Sequence, residues 1–292
     1  MFEGTYTALV TPFRNGEIDW KAYASLIDSQ IAAGISGIVP VGTTGESPTL
    51  SHEEHSLVIK SAVEAATGRC KVIAGTGSNS TTEAISLTQA AEKIGADAAL
   101  LVAPYYNKPS QEGLYRHFKA IAHAVTIPII LYSIPGRCGI EIGIETIARL
   151  ANDCPNIVAI KEAGGSVERV SAMRQVLPAK FEILSGDDSL TLPFLSVGAV
   201  GVISVASNLI PAEVTEMVQS WLDGNPIRAT ALHRKYYTLF KDLFIEPNPA
   251  PIKFALSTVS SMSPEVRLPL CEMTESNQKR LRTVLAGINL AS

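Results

Sequence analysis

The sequence predicts a (β/α)₈ barrel followed by a small helical C-terminal region. Three observations carry this. Eight short, near-continuous apolar runs of β type alternate with amphipathic helical segments, which implies a parallel sheet covered by helices. Turn signals introduce the strands at Gly34, Gly68, Gly95, Pro128, Pro155, Pro178 and Gly198, in steps of 20 to 34 residues. That is the size of one βα unit, and eight such units close naturally into a barrel. Finally, no G-x-G-x-x-G follows the first strand, which argues against the rival, an open doubly wound sheet.

The first strand reads Thr5–Val10 and is closed by Thr11-Pro12. Asp19 then N-caps a helix running to about Ala33. The second strand, Gly37–Val41, leads into Gly42-Thr43-Thr44-Gly45-Glu46-Ser47. Ser51 caps the next helix, with Glu54 three residues on as a capping box. The remaining strands are Lys71–Ala74, Ala98–Ala103, Ile127–Tyr132, Ile157–Lys161, Phe181–Leu184 and Val200–Ser204. The barrel is expected over 1–224, ending at the turn cluster Asp223-Gly224-Asn225-Pro226. The helical region is expected over 225–292, with helices around 227–244, 250–261 and 274–288. Glu246-Pro247-Asn248-Pro249-Ala250-Pro251 reads as a rigid connector with no chemistry.

The 292 residues are 46% hydrophobic and 18% charged, enough for a large core and against disorder. Net charge is −4 with no basic cluster, so nucleic acid and anionic membrane are not expected partners. Met1-Phe2-Glu3-Gly4 has no positive segment followed by an apolar one, so no secretory signal is expected. No apolar stretch approaches the roughly 20 residues of a membrane span. Cys70, Cys138, Cys154 and Cys271 are scattered, with no C-x-x-C pair. This suits a reducing cytoplasm and argues against a disulfide framework or structural zinc.

In such a barrel the active site lies at the C-terminal ends of the strands. Ile157-Val158-Ala159-Ile160 ends there in Lys161. Taken alone, Lys161 has two readings. It is a lysine whose stem lies on apolar surface while its head reaches water, the commoner case, or a buried amine freed to act as a nucleophile. Its neighbours at other strand ends tip the balance. They are Thr43 and Thr44, Gly75-Thr76-Gly77-Ser78-Asn79, Tyr105-Tyr106-Asn107, Tyr132 with Arg137, Ser185-Gly186-Asp187-Asp188, and Ile203-Ser204. One lysine, phenols, hydroxyls and an arginine on one rim form a chemical set. His52 and His55 lie three apart on one helix face as H-E-E-H, which is not the H-E-x-x-H zinc pattern. A solvated or effector-binding face is expected there, and no metal or cofactor.

Gly42–Ser47, Tyr105-Tyr106-Asn107-Lys108-Pro109, Tyr132 with Pro135-Gly136-Arg137, and Ile160-Lys161-Glu162-Ala163 together resemble the 4-hydroxy-tetrahydrodipicolinate synthase family over essentially the whole chain. That family is grouped with Schiff-base-forming pyruvate aldolases such as N-acetylneuraminate lyase. The resemblance implies condensation of pyruvate with L-aspartate 4-semialdehyde through an imine on Lys161, a step of lysine biosynthesis. It implies Tyr132 as proton donor and acceptor and Thr43 and Tyr106 as its relay partners. Tyr106 is implied to reach in from a neighbouring subunit of a dimer, commonly within a homotetramer. Thr44, Gly186 and the backbone of Ile203 are implied substrate contacts. Arg137 matches a grip for the semialdehyde carboxylate, since a guanidinium holds a carboxylate bidentately. It separates the synthases from the sialic acid lyases.

The resemblance also implies an allosteric L-lysine site at Ser47, Pro48, His52, His55, Asn79, Glu83 and Tyr105. Glu83 pairs with an ammonium there, and the histidines and Asn79 supply hydrogen bonds. Three positions depart from the common pattern: Pro48 replaces an alanine, Ser133 an asparagine and Cys138 a threonine. Two alternatives compete: another pyruvate-dependent aldolase using Arg137 differently, and a non-catalytic barrel that senses pyruvate or lysine.

Overall fold

The computed structural model describes residues 1–290. Its strands are β1 Gly4–Ala8, β2 Phe13–Arg14, β3 Glu17–Ile18, β4 Gly37–Val39, β5 Lys71–Gly75, β6 Ala98–Val102, β7 Ile129–Ser133, β8 Ile157–Glu162, β9 Glu182–Ser185 and β10 Gly201–Ser204. Eight of them close a parallel barrel in the order β1-β10-β9-β8-β7-β6-β5-β4. The short antiparallel hairpin β2-β3 lies outside it, an element the sequence reading did not anticipate.

The helices are α1 Trp20–Ala32, α2 His52–Ala66, α3 Thr81–Ile94, α4 Gln111–Ala124, α5 Pro135–Cys138, α6 Ile144–Asp153, α7 Val167–Val176, α8 Thr191–Leu195, α9 Pro211–Leu222, α10 Pro226–Asp242, α11 Ala250–Val259 and α12 Glu275–Gly287. Local chemistry sets several of their starts. Asp19 accepts from the Ala22 N–H at 3.0 Å. Ser51 and Glu54 form the expected capping box, the hydroxyl accepting from Glu54 N at 3.1 Å and the carboxylate from Ser51 N at 2.8 Å.

The strand ends shift by one to two residues from expectation. The second strand stops at Val39 because Pro40 has no N–H to donate, and Val41 takes a left-handed backbone with φ 50°. The fifth begins at Ile129, after Pro128, whose carbonyl still accepts from Ala99 N at 2.9 Å.

Alternation along each strand sorts side chains between two faces. On β7, Ile129 and Leu131 pack in one buried cluster with Leu114, Phe118, Ile147 and Leu150 of α4 and α6. Ile130 and Tyr132 belong to the other cluster, with Tyr6, Leu100, Ala159 and Leu184. The same cluster takes in Leu232, Tyr236 and Phe240 of α10, Ile252 and Ala255 of α11, and Leu281 and Leu285 of α12. The C-terminal helices therefore bury their apolar faces in the same core as the barrel.

Candidate active site

The register of β7 on β8 sets Tyr132 beside Lys161. Both side chains point into the barrel, and each is 6% exposed. Lys161 Nζ stands 4.3 Å from the centroid of the Tyr132 ring. Burial disfavours the ammonium and pulls the Lys161 pKa down to about 8. The Asp188 carboxylate opposes that effect and the Arg137 guanidinium adds to it. Burial likewise raises the Tyr132 pKa, partly offset by Arg137 and by the approaching Thr43 hydroxyl. The pair therefore offers an amine with an accessible neutral form and a phenol that keeps its proton.

A cavity of about 40 Å³ opens over Lys161 and is walled by Thr43, Thr44, Tyr132, Arg137, Gly186 and Asn248. Thr43 and Thr44 sit in a compact turn, with Gly45 N donating to Gly42 O at 3.0 Å and Glu46 N to Thr43 O at 3.1 Å. Thr11 Oγ1 donates to Gly45 O at 2.7 Å and ties this turn to the segment that follows the first strand. Gly186 is demanded by space. A Cβ there would meet Ala163 Cβ at 2.8 Å and the Lys161 Cε at 3.1 Å. Arg137 rides on α5 and donates to the Asn248 carbonyl at 3.4 Å.

Ile203 lies on β10 opposite Tyr6, its side chain buried. Asp188 fixes the chain just beyond it. One carboxylate oxygen accepts from Ser204 Oγ at 2.5 Å, the other from the Val205 and Ala206 N–H groups at 3.1 and 3.0 Å. Burial raises the Asp188 pKa to about 6 against those hydrogen bonds.

Tyr106 is not brought to this cavity within the single chain. It is 90% exposed, and its backbone is left-handed with φ 71°.

A second cavity of about 260 Å³ adjoins the first, sharing Thr43, Tyr132 and Arg137 and adding Ser47, Pro48, Tyr105 and Cys138. Near it, His52 Nε2 lies 3.0 Å from Glu83 Oε1, and Ser78 Oγ donates to the other Glu83 oxygen. Asn79 Nδ2 donates to the Tyr105 carbonyl at 3.2 Å. The hydrogen bond from Ser78, followed by His52, lowers the Glu83 pKa. The single solvated histidine face expected on α2 divides in the structure. His52 is exposed, whereas His55 is 4% exposed and bonds the Gly75 carbonyl at 3.0 Å. Burial lowers the His55 pKa, because a helix that packs on a barrel turns residues three apart unequally toward the core.

The connector at Glu246–Pro251, expected to carry no chemistry, supplies part of the wall. Asn248 is 4% exposed and donates from Nδ2 to Thr44 Oγ1 at 2.9 Å. Its proline-rich composition signalled rigidity but nothing of where the chain passes. Asp188 was visible as one half of Asp187-Asp188. Only its burial distinguishes it from its neighbour.

The residues 1–288 match the model of the dihydrodipicolinate synthetase (DHDPS) family. The chain is 51% identical over 290 residues to the 4-hydroxy-tetrahydrodipicolinate synthase of Aquifex aeolicus (strain VF5), covering 99% of each. It superposes with TM-score 0.98 and 56% identity on the 4-hydroxy-tetrahydrodipicolinate synthase of the thermoacidophilic methanotroph Methylacidiphilum fumariolicum SolV, covering 99% of this chain and 96% of that one. It is also similar to DHDPS of Cyanidioschyzon merolae with lysine bound, at TM-score 0.96 and 44% identity, with 99% of both chains covered. With a buried lysine beside a tyrosine at the strand ends of a closed barrel, the chain belongs to the dihydrodipicolinate synthetase family.

Proposed function

We propose that this protein condenses pyruvate with L-aspartate 4-semialdehyde to 4-hydroxy-tetrahydrodipicolinate, with Lys161 as the amine that forms the imine. The observation that carries this is the enclosed Lys161 ammonium beside Tyr132, its pKa drawn to about 8. An ordinary lysine is almost wholly protonated near neutrality. This one presents a usable fraction of free amine.

The neutral amine attacks the ketone carbon of pyruvate, and loss of water leaves a protonated imine. Thr44 and the backbone at Ile203 hold the pyruvate carboxylate. The imine draws electrons from the methyl group, a methyl proton leaves, and an enamine forms. The enamine carbon bonds to the aldehyde carbon of the semialdehyde, whose carboxylate is held by Arg137. Tyr132 delivers a proton to the resulting alkoxide, with Thr43 and a neighbouring subunit's tyrosine, the counterpart of Tyr106, as its relay. The substrate's own amino group then attacks the imine carbon, closes the ring and releases Lys161. Gly186 leaves the room that the lysine stem needs.

Tyr106 is exposed and left-handed here, which supports its reaching into another subunit and a homotetramer built from dimers. Among the described residues no helix is long and apolar enough to cross a membrane, and all four cysteines are free thiols. These features support a cytoplasmic enzyme. The L-lysine site is assigned to the edge of the second cavity, where Ser47, Pro48 and Tyr105 line the wall. Glu83 paired with His52, together with Asn79, stands beside it to take the ammonium, and His55 braces the Gly75 carbonyl of the wall from behind. Turnover unchanged across millimolar L-lysine would sink that assignment.

The test of the central step is borohydride reduction in the presence of pyruvate, followed by peptide mass analysis. The expected result is a single adduct on Lys161. Its absence overturns the reading. If the adduct forms, a coupled assay of aspartate semialdehyde against N-acetylmannosamine decides the second substrate.

A further inference from the structure

Glu46 closes the turn that carries Thr43 and Thr44, and its carboxylate is oriented inward. The residue is 1% exposed and takes a left-handed backbone with φ 56°. That conformation is unfavourable for a side chain of this kind unless the surroundings hold it. Both carboxylate oxygens are engaged by the C-terminal region. One meets the ammonium of Lys253, which is itself fully buried, and the other accepts from the Arg267 N–H at 3.0 Å.

Lys253 is held from three sides. Its Nζ also donates to the Glu265 carbonyl at 2.8 Å and lies 4.1 Å from the Phe13 ring centroid. Asn248, five residues earlier, donates to Thr44 Oγ1 at 2.9 Å. The connector before α11 and the first turns of that helix thus touch the threonine turn twice, at Thr44 and at Glu46. A buried ion pair is a poor source of stability, because desolvating two charges offsets much of their attraction. Its retention beside the reacting groups calls for another account.

We propose that Lys253 is a positioning residue: its buried ion pair with Glu46 fixes the turn that aims the Thr43 hydroxyl at Tyr132 and the Thr44 hydroxyl at the pyruvate carboxylate. The C-terminal helices are then part of the active-site framework. This inference rests on the roles proposed above for Thr43 and Thr44.

The test compares Lys253→Met, the double variant Glu46→Gln/Lys253→Met, and Thr44→Val, each as the full-length enzyme. Melting temperature, kcat, KM for pyruvate and the rate of borohydride trapping are measured for each. Lys253→Met leaves a lone buried carboxylate, so it lowers the melting temperature. The double variant removes both charges and recovers most of that loss. Positioning predicts that kcat/KM for pyruvate stays depressed by about 10- to 100-fold in the double variant, despite its recovered stability, since small displacements of aligned groups cost rates of that order. A purely structural brace predicts the reverse. A double variant that melts like the wild type and keeps kcat/KM within about twofold overturns the proposal. If both Lys253 variants fail to fold, Glu46→Gln alone carries the test, and a KM within about twofold of wild type overturns the proposal in the same way. Thr44→Val separates the two layers. Unchanged pyruvate KM in Thr44→Val overturns the underlying assignment, whereas a raised KM there with a normal double variant overturns only the role of Lys253.

Discussion

Tyr132 and Lys161 face one another across adjacent strands, in register, with the ammonium 4.3 Å from the ring centroid. The contact puts a phenol and an amine on the same side of one small cavity. It also places the amine over a ring face and away from water, so its charged form is poorly solvated.

That poor solvation has a measurable sign. Lys161 titrates near 8 when folded against 10.5 when unfolded. The unfolded chain therefore binds the extra proton between these values, and stability rises with pH across that window. Below pH 8 the buried ammonium costs on the order of 3 kcal/mol. Lys161→Met removes this cost. The variant should be the more stable protein at pH 7, and its advantage should shrink as pH climbs from 8 toward 10.5. Thermal melts of both proteins across that range check it. A constant difference at all pH values contradicts the buried-amine account.

Gly186→Ala should fold and yet lose most of its activity. The new methyl would lie 3.1 Å from Lys161 Cε and 2.8 Å from Ala163 Cβ, so the lysine stem must shift. A loss of about 100-fold in kcat/KM is expected, with slower borohydride trapping of pyruvate. Trapping at the wild-type rate would show that the stem has room to spare.

Arg137→Ala should separate the two substrates. The guanidinium reaches the cavity and, among the described residues, makes one long hydrogen bond, to the Asn248 carbonyl, leaving most of its donors for a ligand. Removing it should raise KM for the semialdehyde by about 10- to 100-fold, the worth of a charge-assisted hydrogen bond. Pyruvate adduct formation should persist. Equal damage to both substrates would point to a collapsed site.

Arg267 grips Glu54 with two nitrogens at 2.7 and 2.8 Å and reaches the Thr49 carbonyl at 3.0 Å. The hydrogen bonds from Arg267 hold the Glu54 carboxyl down to about 2. This stability is present above the ordinary carboxylate pKa and is lost as pH falls through the folded value. Arg267→Met should therefore lower the melting temperature at pH 7 while changing it little near pH 2. A loss of equal size at both pH values would mean that stacking on the Phe13 ring, 4.3 Å away, and the bonds to the Thr49 and Gly16 carbonyls, not the Glu54 charge, account for the contact.

Much of the barrel was legible in the sequence because its signals are local. Eight apolar runs and their introducing glycines and prolines mark the strands without knowledge of any partner. Asp19 and the Ser51–Glu54 box mark helix starts through hydrogen bonds within a few residues. Strand-end position alone set Thr43, Thr44, Tyr132, Arg137 and Lys161 on one rim. Backbone details were less legible. Val41 looks like a strand residue by type, and its left-handed conformation follows from the turn after Pro40.

The order of the units and the chemical kinds of the residues that end each strand are written locally along the chain. Their environment comes from the closed barrel. Lys161 is a usable amine because strands from across the chain exclude water around it. His52 and His55 part company because one face of α2 meets the barrel. Asn248 and Lys253 reach Thr44 and Glu46 across 204 and 207 residues of chain. Local pattern cannot encode such pairings, since periodicity reports which face is apolar and not which distant group will be buried against it.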